Sequence, residues 1–110
     1  LTWSPTEDSG LPNPGSGTDA VTLDSGVHLL VYNHSSPPPE RPWKGVRYPL
    51  NIARSGDGKN WDKVLTVDNL PRSAGYAYPC IIQTRDGLVH IAYTFDRDMI
   101  KHVVIDPEKL

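Results

Sequence analysis

The feature that most constrains the fold is a short hairpin pattern that occurs twice in the sequence. In the first copy, segments 19–23 (DAVTL) and 27–33 (VHLLVYN) flank the tight-turn sequence DSG. In the second copy, segments 78–84 (YPCIIQT) and 88–94 (LVHIAYT) flank the sequence RDG. Each copy joins two runs of strand-forming residues through a turn that ends in glycine, so the sequence predicts two equivalent antiparallel hairpins.

The two hairpins align in one register. Gly87 follows Gly26 by 61 positions, and Tyr93 follows Tyr32 by the same interval. Further segments with strand character follow the hairpins, at residues 47–54 and 61–67 after the first and at residues 100–105 after the second. The chain therefore predicts a unit of four antiparallel strands and then a second unit that ends before its fourth strand.

A recurring four-stranded antiparallel unit of about 40 to 50 residues is typical of a β-propeller blade. The predicted all-β domain, 1–110, has an opening loop at 1–17, a blade unit at 18–70 and an incomplete blade unit at 71–110. Closed propellers have about four to eight blades, so two units form only part of a ring. A β-sandwich of short strands is the alternative architecture.

The composition agrees with many short segments joined by turns. Eleven prolines and nine glycines in 110 residues disfavour long helices. No apolar run approaches the length of about 18 residues that a membrane span needs. The formal net charge of −2 gives no basic excess to attract nucleic acid or anionic lipid. We therefore expect neither nucleic acid nor a membrane as a partner.

Cys80 is the only cysteine, so we expect neither a disulfide within the chain nor a cysteine-based zinc site. We interpret Cys80 as a small buried apolar residue. His90 and His102 lack the spacing of metal ligands, and no metal or cofactor is predicted. Because the chain begins at Leu1, we expect it to be part of a larger molecule. A secreted or periplasmic location is favoured if the parent carries a signal peptide.

The turn between the third and fourth predicted strands has the sequence SGDGKNW. Ser55 and Asp57 can hydrogen-bond backbone N–H groups within the turn. Gly58 can adopt a positive φ, and Trp61 can cover the hairpin with its ring. These properties predict a structural turn and not an active site. The turn resembles the Asp-box of sialidases and related propellers, with one residue fewer between the aspartate and the tryptophan.

The order of the surrounding motifs resembles the last part of the sialidase-like, BNR-repeat glycosidases. The motifs are GTDAV, LLVYNH, RYPL, the Asp-box and AYP, in that chain order. In this family an arginine opens the strand before the last Asp-box, and a tyrosine opens the next blade. Residues 77–104 look most like the bacterial and plant branch. The resemblance spans nearly the whole chain and implies part of a six-bladed propeller.

The resemblance also implies two site residues. Arg47 matches the third arginine of the triad that binds the sugar carboxylate, a task that suits the planar fork of a guanidinium. Tyr78 matches the nucleophilic tyrosine of these enzymes. Without the resemblance, we would interpret Arg47 as a solvated surface charge and Tyr78 as a half-buried side chain that packs against its neighbours. If both belong to one site, their functional ends lie within about 10 Å of each other.

Two further residues are candidates for substrate binding. Tyr76 lies two residues before Tyr78, on the same predicted strand face, and is an alternative for its role. Arg41 lies in the proline-rich loop 34–46 and is a candidate for the rim of the site near Arg47, with a solvated surface loop as the alternative interpretation. The other two arginines of the triad, the acid/base aspartate and the glutamate that activates the tyrosine belong to earlier blades in the family, so none is assigned here.

The resemblance implies the C-terminal part of an exo-glycosidase that hydrolyses terminal acidic sugars from glycans, and a chain that is inactive alone. One alternative is the propeller scaffold of a different polysaccharide-active enzyme, of the lyase or rhamnosidase type. Another is a non-catalytic pair of blades that self-associates. The implied partners are a glycan or polysaccharide substrate and either missing N-terminal blades or further copies of the chain.

Overall fold

The computed structural model describes all 110 residues and contains seven β-strands and one short 3-10 helix. The strands are β1 (Asp19–Thr22), β2 (His28–Asn33), β3 (Leu50–Ser55), β4 (Asp62–Asp68), β5 (Tyr76–Gln83), β6 (Val89–Phe95) and β7 (Met99–Ile105), and the 3-10 helix is η1 (Pro107–Lys109). No helix has the length and apolar character needed to cross a membrane. All seven predicted strands are present.

The strands form two antiparallel sheets. The first has four strands in the order β1-β2-β3-β4, and the second has three in the order β5-β6-β7. The two sheets do not close into a ring. The chain is therefore all-β, with one four-stranded blade unit and one incomplete unit, as the sequence predicts.

The third strand begins later than predicted. The sequence pattern places its start at Arg47, whereas β3 starts at Leu50. Pro49 has no N–H group to donate to the ladder between strands, which explains why regular pairing begins only after it. Arg47 consequently lies in the segment that leads into β3.

The repeat seen in the sequence is reproduced in the backbone of the two hairpin turns. The Gly26 N–H donates to the Leu23 carbonyl over 2.8 Å, and the Gly87 N–H donates to the Thr84 carbonyl over 2.9 Å. The φ angles of the two glycines are 87° and 86°. Residues with a Cβ rarely adopt this conformation, so glycine at the end of each turn sets the register of both hairpins.

The hydrophobic core lies between the two sheets. Its buried members are Leu23, Leu29, Val31, Leu50 and Ile52 from the first sheet side and Tyr76, Ile81, Val89, Ile91, Tyr93 and Phe95 from the second. Alternation along β6 places its odd-numbered residues inward. Fully burying one such side chain stabilises a fold by about 1.5–3 kcal/mol, so this interface holds the two blades together.

Buried polar contacts fix how one sheet sits on the other. The Asp19 carboxylate on β1 accepts a hydrogen bond of 2.9 Å from the Ile81 N–H on β5. The buried Asn33 amide donates to the Tyr76 carbonyl over 3.2 Å and to the Pro49 carbonyl over 3.1 Å. Polar groups that are buried away from water need hydrogen-bond partners within the protein. These bonds therefore specify the position of β2 relative to β5.

The Asp-box turn has the internal hydrogen bonds that its sequence suggests. The Ser55 hydroxyl accepts from the Gly58 N–H over 2.8 Å, and the Asp57 carboxylate accepts from the N–H groups of Lys59 and Asn60 over 2.8 Å each. The bond from the Asn60 backbone, followed by that from Lys59, holds the pKa of Asp57 well below its usual range. The turn is therefore a structural element that connects β3 to β4 and is stabilised by its own hydrogen bonds.

Candidate functional site

The backbone of Arg47 is fixed against the start of β5. Its carbonyl accepts a hydrogen bond of 2.7 Å from the Tyr76 N–H. Gly75 has a φ of 69°, and a Cβ there would lie 2.5 Å from the Arg47 carbonyl oxygen. Only glycine permits so close an approach, so Gly75 allows the segment before β3 to reach the second blade.

Tyr78 projects from an irregularity in β5. The register of β5 against β6 shifts between Ala77 and Cys80, and Tyr78 lies inside this bulge with a φ of 49°. A side chain in this left-handed region costs about 1–2 kcal/mol. The Tyr78 side chain is 74% exposed. Bulges of this kind re-aim side chains and often occur beside active sites.

The bulge determines which residues of β5 face outward. From Tyr78 onward the alternation is regular, with Cys80 and Ile82 exposed and Pro79 and Ile81 buried. Cys80 is therefore on the open face of the second sheet, and the expectation that it is buried is wrong. Its small apolar character indicated burial, but the strand register decides its position.

Arg47 and Tyr78 meet across the boundary between the two blades. The guanidinium carbon of Arg47 lies 5.8 Å from the centroid of the Tyr78 ring. This separation is within the limit of about 10 Å expected for two groups of one site, so the expected proximity is confirmed. It is also within the range of about 6 Å for a cation–π contact, which orients the two side chains relative to each other.

Tyr76 points in a different direction. Its side chain is fully buried, and its hydroxyl donates to the Leu70 carbonyl. The expectation that it shares a face with Tyr78 is wrong, because the bulge between them breaks the two-residue alternation. Burial, together with the nearby Asp68 carboxylate, raises the pKa of Tyr76 to about 12. The structure therefore does not bring Tyr76 together with Arg47 and Tyr78 at the surface.

A polar cluster behind Tyr76 joins the ends of three strands. One Asp68 carboxylate oxygen on β4 accepts from the Tyr93 hydroxyl on β6 over 3.0 Å and from the Lys101 ammonium on β7 over 2.9 Å. Burial alone would raise the pKa of Asp68, but its interactions with Lys101 and with the hydroxyls of Tyr76 and Tyr93 outweigh burial and lower this pKa. The cluster fastens the outer strand of the first blade to the second blade.

A cleft lined by cations lies beside Arg47. Its volume is about 670 Å³, and its walls are the opening loop, the proline-rich loop, residues 72–74 and the β6–β7 turn. Five cationic side chains line it: Arg41, Lys44, Arg47, Arg72 and Arg97. We call this cavity the arginine cleft. Arg41 and Arg47 both line this cleft, and Arg41 is exposed there. Tyr78 adjoins it through Arg47.

The cations of the arginine cleft have no carboxylate partner. The two ion pairs of the chain are Lys101 with Asp68 and Lys109 with Asp106, and neither includes a residue of the cleft. Glu40 is the one acidic residue in the lining. The cleft is therefore a concentrated positive region on a chain whose formal net charge is −2.

Sequence reasoning missed Lys44, Arg72 and Arg97. Arg72 and Arg97 are 25 positions apart and belong to no common motif. Both line the arginine cleft because the β6–β7 turn is bound to the segment before β5, where the Asp96 N–H donates to the Gly75 carbonyl over 2.8 Å. A contact of this kind is tertiary, so the local pattern contains no signal for it.

A second cavity and a pair of histidines were the other candidate sites, and neither includes Arg47 or Tyr78. The second cavity, of about 630 Å³, lies where the two hairpin turns meet η1, and none of Arg41, Arg47 and Tyr78 lines it. The rings of His90 and His102 stack on the open face of the second sheet, with 2.9 Å between their facing nitrogens. The chain has no group of three or more metal-binding side chains.

Comparison with known proteins adds a family to this geometry. No match was found among curated proteins or among solved structures. Residues 1–91 match the family model of the BNR repeat-like domain. The matched range runs from the opening loop into β6 and includes the Asp-box, Arg47 and Tyr78. It covers most of the chain, so this is a sialidase-like protein that belongs to the BNR repeat-like domain family.

Proposed function

We propose that the chain supplies a carboxylate-binding arginine, Arg47, and a nucleophilic tyrosine, Tyr78, to an exo-glycosidase that hydrolyses terminal acidic sugars from glycans. The observation that carries this proposal is the position of the Arg47 guanidinium, 5.8 Å from the centroid of the exposed Tyr78 ring. The bulge with its positive φ at Tyr78 is a second support, because strained conformations of this kind are concentrated at functional sites.

Arg47 has the properties that a carboxylate-binding residue needs. It is half-buried, its backbone is held by β5, and its guanidinium has no ion pair in the protein. A planar guanidinium binds a carboxylate through two parallel N–H···O bonds and stays charged at every physiological pH. The sugar carboxylate would therefore be held beside Tyr78, with the sugar ring over the phenol.

Tyr78 would act on the anomeric carbon of the bound sugar. Its hydroxyl proton passes to a base while its oxygen bonds to the anomeric carbon, and the bond to the leaving oxygen breaks as an acid protonates that oxygen. Water then hydrolyses the glycosyl–tyrosine bond and restores the phenol. The family resemblance assigns the acid and the base to earlier blades, and this chain alone is therefore expected to bind without turnover.

A second candidate function is a non-catalytic blade pair that associates with copies of itself. The open face of the second sheet favours it, because Ile82, Ile100 and Val104 on this face are 56%, 77% and 48% exposed. An apolar sheet face of this kind is usually covered by another element. Missing N-terminal blades or further copies of the chain would both cover it.

Calorimetric titration of the 110-residue chain with N-acetylneuraminic acid tests the first proposal. We expect binding by the wild-type chain, none to lactose, and loss of binding in Arg47→Gln. Arg54→Gln is the matched control, since Arg54 is exposed on β3 and lies outside the arginine cleft. Equal binding by wild type and Arg47→Gln would reject the proposed role of Arg47.

A further inference from the structure

We infer that the arginine cleft binds a glycan that carries two anionic groups, the first held by Arg47 and the second by Arg72 with Arg97. This inference rests on the proposed function only in taking Arg47 as the site of the first anionic group. It adds a second subsite and thereby a substrate class, an acidic glycan with a further carboxylate or sulfate near its terminal sugar.

The distribution of charge is the first argument. The chain has 11 lysines and arginines, and five of them line this single cavity, against one carboxylate. None of the five has an ion pair within the protein. Like charges that share a cavity repel each other, and an anion that enters relieves this repulsion in addition to forming its own contacts. One carboxylate on Arg47 would leave the other four cations with Glu40 as the one acidic residue in the lining.

The positions of Arg72 and Arg97 are the second argument. The guanidinium carbon of Arg72 lies 5.1 Å from the centroid of the Phe95 ring, within the range of a cation–π contact, and this guanidinium has no ion pair within the protein. Arg97 sits in the β6–β7 turn with a φ of 61°. Asp96, the residue before it, has a φ of 50°, so two successive residues of this turn adopt a conformation that glycine adopts most readily.

The β6–β7 turn is bound to the segment that carries Arg72. The Asp96 carboxylate accepts from the Ala74 N–H over 2.8 Å, and the Asp96 N–H donates to the Gly75 carbonyl. Asp96 therefore binds backbone and forms no ion pair with either arginine. The same Gly75 packs on the Arg47 carbonyl, so a short stretch of backbone connects the second subsite to the first.

The shape of the cleft favours a glycan over nucleic acid. A volume of about 670 Å³ lies within the range of about 300–1,000 Å³ that small-molecule sites occupy. Binding of single strands uses an extended basic groove with successive aromatic side chains for the bases. Here five cationic residues share one cavity, and Trp43 is the one aromatic residue in its lining.

Titration with matched acidic sugars tests the inference. N-acetylneuraminic acid has one carboxylate, its α2,8-linked dimer has two, and lactose has none. We expect the dimer to bind about five- to tenfold more tightly than the monomer, the size for two charge-assisted contacts that stay partly solvated. The double variant Arg72→Gln/Arg97→Gln should lose this preference and keep its affinity for the monomer. Arg54→Gln/Arg85→Gln, with exposed arginines outside the cleft, should behave as wild type.

The outcomes separate the two proposals. Equal affinity for dimer and monomer, with binding still abolished by Arg47→Gln, overturns the second subsite and leaves the proposed function standing. Full binding of the monomer by Arg47→Gln rejects the proposed function, and absence of binding to every acidic sugar rejects both. A single-stranded oligonucleotide that binds more tightly than the dimer at equal salt overturns the choice of a glycan. Unchanged circular dichroism shows that the variants fold.

Discussion

The left-handed backbone of Tyr78 leads to a prediction in which the same pair of substitutions has opposite effects at two neighbouring positions. Tyr78 has a φ of 49°, whereas Cys80 lies in the regular part of β5 and is also exposed. We compare alanine with glycine at each position. Neither residue retains the tyrosine ring, so the lost contact with Arg47 cancels from the comparison at position 78.

The expected magnitude follows from two opposing terms. A residue with a Cβ loses about 1–2 kcal/mol in the left-handed region, and glycine avoids this cost. Glycine in turn loses about 0.5–1 kcal/mol relative to alanine through the entropy of the unfolded chain. Tyr78→Gly should therefore be more stable than Tyr78→Ala by about 0.5–1 kcal/mol. At position 80 only the entropy difference applies, so Cys80→Ala should be more stable than Cys80→Gly by a similar amount.

Urea unfolding followed by tryptophan fluorescence measures these differences, since the chain has three tryptophans. All four variants are compared at one protein concentration, because association makes apparent stability depend on concentration. Equal slopes of the unfolding free energy against urea would show that the variants unfold from equally compact states. If Tyr78→Ala is as stable as Tyr78→Gly, the left-handed conformation of Tyr78 and the bulge that contains it are refuted.

Three further predictions concern activity, association and pH. The isolated chain should not hydrolyse a fluorogenic sialoside above the rate of a Tyr78→Phe control, because the acid, the base and two arginines are not assigned within it; turnover above that control contradicts this. Light scattering at micromolar concentration should show assemblies larger than a monomer, whereas a stable, cooperatively folding monomer is the opposing result. Asp68→Asn should be about 1 kcal/mol less stable than wild type at pH 7. The pKa of Asp68 is lowered in the folded chain, so its contribution to the free energy of unfolding is complete above the unfolded pKa of about 3.9 and is lost as pH falls through the folded pKa. A stability difference between Asp68→Asn and wild type that does not shrink in acid would refute this.

The fold was predictable where local chemistry alone specifies it. Gly26 and Gly87 mark the two hairpin turns, and the spacing between them gave the blade repeat that the structure contains. The late start of β3 could also have been predicted from the sequence, because Pro49 has no N–H group to donate to a neighbouring strand. These features depend on a few consecutive residues and on the backbone freedom of glycine or the missing N–H of proline.

The site was predictable only in part. The proximity of Arg47 and Tyr78 followed from the order of motifs, but the opposite orientations of Tyr76 and Tyr78 did not. A bulge with glycine in the left-handed region can be recognised from that glycine in the sequence. This bulge has a tyrosine in the left-handed region, and glycine does not mark it. Arg72 and Arg97 line one cleft because the β6–β7 turn is hydrogen-bonded to the segment before β5, and such tertiary contacts have no local sequence pattern.

Mapping of backbone amides by nuclear magnetic resonance, during titration of the chain with N-acetylneuraminic acid, tests the central claim most directly. The claim is that Arg47 and Tyr78 form one site for an acidic sugar. It predicts that the largest shifts occur at the amides of Arg47, Gly75 and Tyr78. Shifts concentrated instead at Ser25 and Gln83, which line the cavity between the hairpin turns and η1, would contradict it.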